Sequence, residues 1–114
     1  MKTVDEIYLA IRNNINDVIK ENWGTAILKF EVIGDMVSNQ GTYVNEKGEN
    51  KQIDVDELDF ELTFDLLDLH AITTEGGANK WNRAVYTLTP DGKFDMEFIW
   101  DQALQDEIER LSKE

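Results

Sequence analysis

The sequence predicts an α+β fold: an antiparallel sheet of four to five strands with helices on one face, in the order α-β-β-(β)-α-β-β-α. Three observations predict it. Both ends of the chain show apolar residues at helical spacing. Two segments pair alternating strands across short turns rich in Gly, Asn and Asp, and short hairpins imply antiparallel pairing. Between the hairpins lies a Leu-rich segment that is long for a strand. The 114 residues leave room for one hydrophobic core, so residues 1–114 read as a single domain.

The first helix is predicted over Thr3–Asn22. Val4, Ile7, Ile11, Ile15, Val18 and Ile19 share a face, and Thr3 with Glu6 has the form of a capping box. Trp23-Gly24 is read as its end, with Gly free to turn left-handed. Thr25–Ile33 alternates as a strand, and Gly34-Asp35 is a turn. Met36–Val44 is a second strand, with a bulge expected near Ser38-Asn39-Gln40-Gly41. Asn45-Glu46-Lys47-Gly48 is a hairpin turn, returning through Glu49–Ile53 as a short strand.

Residues 54–72 carry two patterns. Leu58 to Leu66 alternates with period two, as a strand would. On a helical wheel the same residues form an arc of Leu58, Leu62, Leu66 and Leu69 and a second arc of Phe60, Phe64, Leu67 and Ala71. The richness in Leu, the poverty in β-branched residues and the Asp54/Glu57 spacing favour a helix. Such a helix needs two things to pack against: its own sheet, and another helix or a partner. Thr73–Lys80, with Gly76-Gly77, is read as a loop. Trp81–Thr89 is a strand, Pro90-Asp91-Gly92-Lys93 a turn, and Phe94–Trp100 a half-buried strand. Asp101 caps a last helix on which Leu104, Ile108 and Leu111 share a face.

Charge narrows the function classes. The net charge is −13, from 24 acids and 11 bases. Between Gln52 and Asn79 there are eight acids and no Lys or Arg. Such a chain repels nucleic-acid phosphates and anionic membranes, and attracts basic partners. Acidity also serves plain solubility. There is no cysteine, which removes disulfides and thiol chemistry and fits a reducing, cytoplasmic setting. The first residues turn acidic at once, unlike a secretory signal, and no apolar run reaches the eighteen or so residues of a membrane span.

Catalytic signals are missing. Ser38 and Ser112 lack a Gly-rich elbow, and the single histidine, His70, has no evident nucleophile beside it; it reads as a helix-end residue in acidic surroundings. Asp54-Val55-Asp56 opens like a calcium loop, but Asp59 stands where the sixth position needs Gly. Gly76-Gly77 lies between a helix and a strand, the wrong order for a phosphate loop that opens a helix. No metal ligand set, cofactor or catalytic residue is assigned.

Two groups remain as candidate binding residues. Glu57, Glu61, Asp65 and Asp68 form an acidic stripe on the predicted middle helix. Like charges at this spacing repel by roughly 0.2–0.5 kcal/mol per pair, so a basic partner would relieve them; the alternative is a solvated helix face. Trp23, Trp81 and Trp100 sit at element boundaries, where a ring serves either the core or an interface.

Lys80-Trp81, the strand ending Tyr86-Thr87-Leu88, the turn Asp91-Gly92-Lys93-Phe94 and the pair Trp100-Asp101 resemble the YezG-like immunity (antitoxin) family. In order of elements the resemblance spans the chain; in motif it covers about residues 80–101. The chain departs from the pattern in its short length and in the compressed loop after the middle helix. The resemblance implies a small bacterial cytoplasmic protein that binds and neutralises a cognate polymorphic-toxin domain, such as a nuclease, without catalysis of its own. The expected partner is a toxin with a basic surface. The expected contact residues are Glu57, Glu61, Asp65 and Asp68, with Trp81, Trp100 and Asp101. Two rival functions are a non-toxin adaptor using the same face and a small-ligand-binding or carboxylate-based enzyme, which would need a deep pocket with converging acids.

Overall fold

The N-terminal apolar stripe forms helix α1, Val4–Val18, in the computed structural model, which describes residues 2–77 and 80–113. Thr3 accepts the Glu6 backbone N–H at 3.2 Å, and the Glu6 carboxylate accepts the Thr3 N–H at 3.0 Å, so the predicted capping box forms. The helix ends a turn before the expected Asn22. Ile19 is extended, yet its side chain stays in the core. Glu21 accepts the Tyr43 hydroxyl at 2.6 Å, and the Asn22 carbonyl accepts the Glu46 N–H at 3.1 Å. These bonds tie the segment to the second hairpin and draw it out of the helical path.

Five strands follow the predicted order. They are β1 (Trp23–Ile33), β2 (Met36–Asn45), β3 (Asn50–Ile53), β4 (Arg83–Leu88) and β5 (Phe94–Ile99), arranged β3-β2-β1-β4-β5 with every pairing antiparallel. Trp23-Gly24 belongs to β1 instead of ending α1, and the register shift falls there, between Trp23 and Thr25. Pairing through Ser38–Gly41 is unbroken, so the bulge expected at that point is absent. Gly41 has a different cause. It lies opposite Ile53, and an added Cβ would meet the Ile53 side chain at 3.0 Å.

The period-two pattern of residues 58–66 does not form a strand. Helix α2 covers Glu61–Thr74. It begins later than predicted because Asp54 caps a separate 3-10 turn, Val55–Glu57, through the Asp56 N–H at 3.1 Å, and Leu58 is then extended. Asn14 of α1 accepts the Asp59 N–H at 2.7 Å, and Asp59 accepts the Glu61 N–H at 3.0 Å, which starts α2 at a fixed point against α1. Residues 75–77, expected in a loop, form a further 3-10 turn with Gly76 at φ +82°. Of the Thr73–Lys80 segment, residues 78–79 lie outside the described ones.

Helices α1 and α2 cover one face of the sheet. Ile7, Ile11, Ile15 and Ile19 meet Leu62, Leu66 and Leu69 over Ala26, Leu28, Phe30, Val32, Ala84, Tyr86 and Leu88, all buried. Tyr86 reaches through this layer to donate its hydroxyl to the Tyr8 carbonyl at 3.1 Å. Helix α3, Gln102–Ser112, is capped by Asp101, which accepts the Leu104 N–H at 3.1 Å. It buries no side chain. No helix among the described residues is long and apolar enough to cross a membrane.

Candidate functional site

The segment between Gln52 and Asn79, which has no Lys or Arg, carries the most exposed aromatic surface of the molecule. Phe60 is 74% exposed and Phe64 60% exposed. Phe60 sits just before α2 with helical dihedrals (φ −61°, ψ −25°), so the two rings project one turn apart on one face. Leu67, half-buried, and Ala71, exposed, continue the line. This is the second apolar arc of the helix. Its first arc, Leu62, Leu66 and Leu69, is consumed by the core. Of the second, Leu67 packs against the core, whereas Phe60, Phe64 and Ala71 stay exposed.

The acidic residues predicted as one stripe are divided by the fold. Glu57 lies on the 3-10 turn ahead of α2 and is exposed. Glu61 is exposed on the first turn of α2, and Asp68 is half-buried further along. Asp65 is buried, and Lys2 donates to both of its carboxylate oxygens at 2.9 and 3.1 Å. That bond, with the Asp65 charge behind it, raises the Lys2 pKa above its ordinary value. Asp65 therefore holds the chain start against α2, a partnership across 63 residues with no local signal in the sequence. The four acids do not form a continuous face because the helix starts after Glu57 and Asp65 turns inward. Asp56, Glu57, Asp59 and Glu61, all exposed, instead flank Phe60 in the sequence, on the turn and the helix start.

The tryptophans separate. Trp81 is a core residue: its indole N–H donates to Thr73 at 2.7 Å, and Phe30 meets its ring edge-on. His70 donates its Nε2–H to the Trp81 carbonyl at 2.9 Å and packs edge-on against the indole. The histidine read as a helix-end residue is thus a half-buried brace for Trp81. Trp23 is half-buried. Trp100 is 41% exposed at the end of β5, with its N–H on Gln102 at 2.9 Å.

Asp101 has a structural task. Its carboxylate caps α3 and accepts the Arg83 Nε–H at 2.7 Å, while Arg83 also pairs with Glu31 across the sheet face away from α1 and α2. The Leu104 N–H first, then the Arg83 hydrogen bond, hold the Asp101 pKa below its usual 3.8. Asn82 closes the arrangement, donating to the Asp101 carbonyl at 2.9 Å and accepting the Asp101 N–H at 2.8 Å.

An open cleft between α1 and α2 is lined by Lys2 and by Asp17, Asp59, Glu61 and Asp65, spread along its length. Asp65 is occupied by Lys2 and Asp59 by the Glu61 N–H. No group of three acids or histidines among the described residues is placed to hold a metal ion. The arrangement best suits surface recognition: two exposed phenylalanines flanked in sequence by exposed acids, on a helix whose other side is anchored in the core. Phe60 and Phe64 were not among the residues singled out for partner binding. The available signal was the second apolar arc, which had no obvious cover. The sequence matches no protein-family model and none of the curated proteins it was compared with.

Proposed function

We propose that the protein is an immunity protein, binding and neutralising a cognate bacterial toxin domain through the Phe60/Phe64 ridge and the acids around it. One observation carries the reading: two neighbouring phenylalanines stand mostly exposed inside a segment with eight acids and no Lys or Arg. Exposed large aromatics that point the same way mark interaction sites, and aromatic anchors dominate binding energy when they enter a pocket. The surrounding charge selects a basic partner and speeds its capture. A toxin that acts on nucleic acid is basic where it meets phosphates, so an acidic ridge suits blocking it. The resemblance of residues 80–101 to YezG-like immunity proteins supports a toxin as the partner; the ridge alone would equally serve an adaptor for another basic protein.

Affinity capture from the native host at low and moderate salt, read by mass spectrometry, tests binding. Co-expression of the captured protein with and without this chain tests neutralisation. The expected result is a stoichiometric basic partner, weakened by salt, whose toxicity this chain removes. A partner that is not toxic would favour the adaptor. Capture of no protein in either salt would overturn the reading.

A further inference from the structure

The two edges of the sheet are built differently. β3 is a four-residue edge, Asn50–Ile53, carrying an exposed Lys51. A short strand with a lysine is a common protection against unwanted pairing. β5 is a six-residue edge with no Lys, Arg or Pro, paired to β4 without interruption from Arg83↔Ile99 to Leu88↔Phe94. Helix α3, which follows it, makes no extended contact with another element.

The register decides which groups face outward. The Thr89 N–H donates to the Lys93 carbonyl at 2.9 Å, so positions 93, 95 and 97 bond inward to β4. The N–H and C=O groups of Phe94, Met96 and Phe98 therefore point away from the sheet. The side chains alternate as well. Phe94, Met96 and Phe98 lie opposite Leu88, Tyr86 and Ala84, on the helix-covered face, with Phe94 47% and Phe98 37% exposed. Asp95 and Glu97 are exposed on the other face.

We propose that the outer edge of β5 is a strand-addition site for a partner segment that alternates Lys or Arg with apolar residues. Such a strand bonds the free backbone groups, lays its apolar side chains along Phe94, Met96 and Phe98, and sets its cations beside Asp95 and Glu97. A second copy of this chain does not fit. Antiparallel self-pairing centred on Asp95, Met96 or Glu97 sets acid opposite acid, between two molecules that each carry a net charge of −13. The site is separate from the α2 ridge and does not depend on its toxin reading.

The test uses the full chain, isotope-labelled, and a blocked peptide of about seven residues alternating Lys and Val. A control peptide has the same composition with its lysines contiguous. The expected result is about tenfold or greater slowing of amide hydrogen exchange at Phe94, Met96 and Phe98 with the alternating peptide only. Met96→Pro should abolish the effect while leaving the β4 ladder intact, since only an outward N–H is lost. Asp95→Lys with Glu97→Lys, which leaves the backbone untouched, should abolish it too and transfer binding to a peptide alternating Glu and Val. Equal binding of both Lys peptides without slowing at those three amides would mean charge attraction alone and would overturn the proposal. So would an alternating peptide that does not bind.

Discussion

Helices α1 and α2 lie side by side over the same sheet and spend their apolar residues in opposite ways. In α1, Ile7, Ile11 and Ile15 are wholly buried on one stripe, and the opposite side is polar apart from Leu9, which is 46% exposed. In α2, Leu62, Leu66 and Leu69 are buried in the same core, yet Phe60 and Phe64 on another side remain in water. A helix used only for structure needs one apolar stripe. Leu67 of the second arc packs against the core, but its Phe60/Phe64 end contributes little to this fold, and that excess is what marks it for another molecule.

The sharpest way to break the comparison is a pair of truncations. Ile11→Ala in α1 should cost about 2–5 kcal/mol of stability, because it opens a cavity in a closed core. Phe64→Ala in α2 should change stability by no more than about 0.5 kcal/mol. Urea unfolding of the two variants measures both; equal losses would mean that the Phe64 ring is packed and not free.

Binding should show the reverse order. Phe60→Ala or Phe64→Ala should each weaken the captured partner by about 2 kcal/mol or more, roughly thirtyfold in Kd, whereas Ile11→Ala in protein that remains folded should leave affinity alone. Titration calorimetry reads this directly. Thr3→Ala removes the capping box of α1 and should cost about 1 kcal/mol in thermal or urea unfolding, with no effect on binding. Smallest of all, Glu57→Ala and Glu61→Ala should slow association at low salt and have little effect at high salt, as stopped-flow rates would show.

The pH profile of stability sharpens the structural side. The Thr3 N–H holds the Glu6 carboxyl below its usual 4.5, the Thr89 hydroxyl holds Asp91 below 3.8, and the Leu104 N–H does the same for Asp101. A lowered carboxylate pKa stabilises the fold above its ordinary value, and that stability is lost as pH falls through the folded value. Stability should therefore decline below about pH 4. At the other end, burial pushes the Tyr86 phenol from 10.0 up to about 12. Its contribution is complete below pH 10 and is lost as pH rises towards about 12. Denaturation midpoints across this range check both limbs.

Much of the fold was legible in local pattern. Hairpins announce themselves through turn residues and alternation, and all five strands and three helices appear in the predicted order. Boundaries failed where distant groups intervene. The end of α1 is set by bonds from Glu21 and Asn22 to residues 43 and 46, and the start of α2 by Asn14. The candidate site was less legible. Helical spacing placed Asp65 on an outer stripe, but Lys2 reaches it from the far end of the chain. Trp81 carried no mark separating core from interface until His70 and Thr73 were seen to hold it. The second arc of α2 was visible, and the exposure of its Phe60/Phe64 end was not, because cover belongs to the assembled fold.

The most direct test of the central claim is the affinity of the captured partner for the Phe60→Ala/Phe64→Ala double variant, measured beside its thermal unfolding. The account predicts binding weakened by about a hundredfold or more with an unchanged melting temperature. Wild-type affinity in a folded double variant would contradict it and move the interface away from α2.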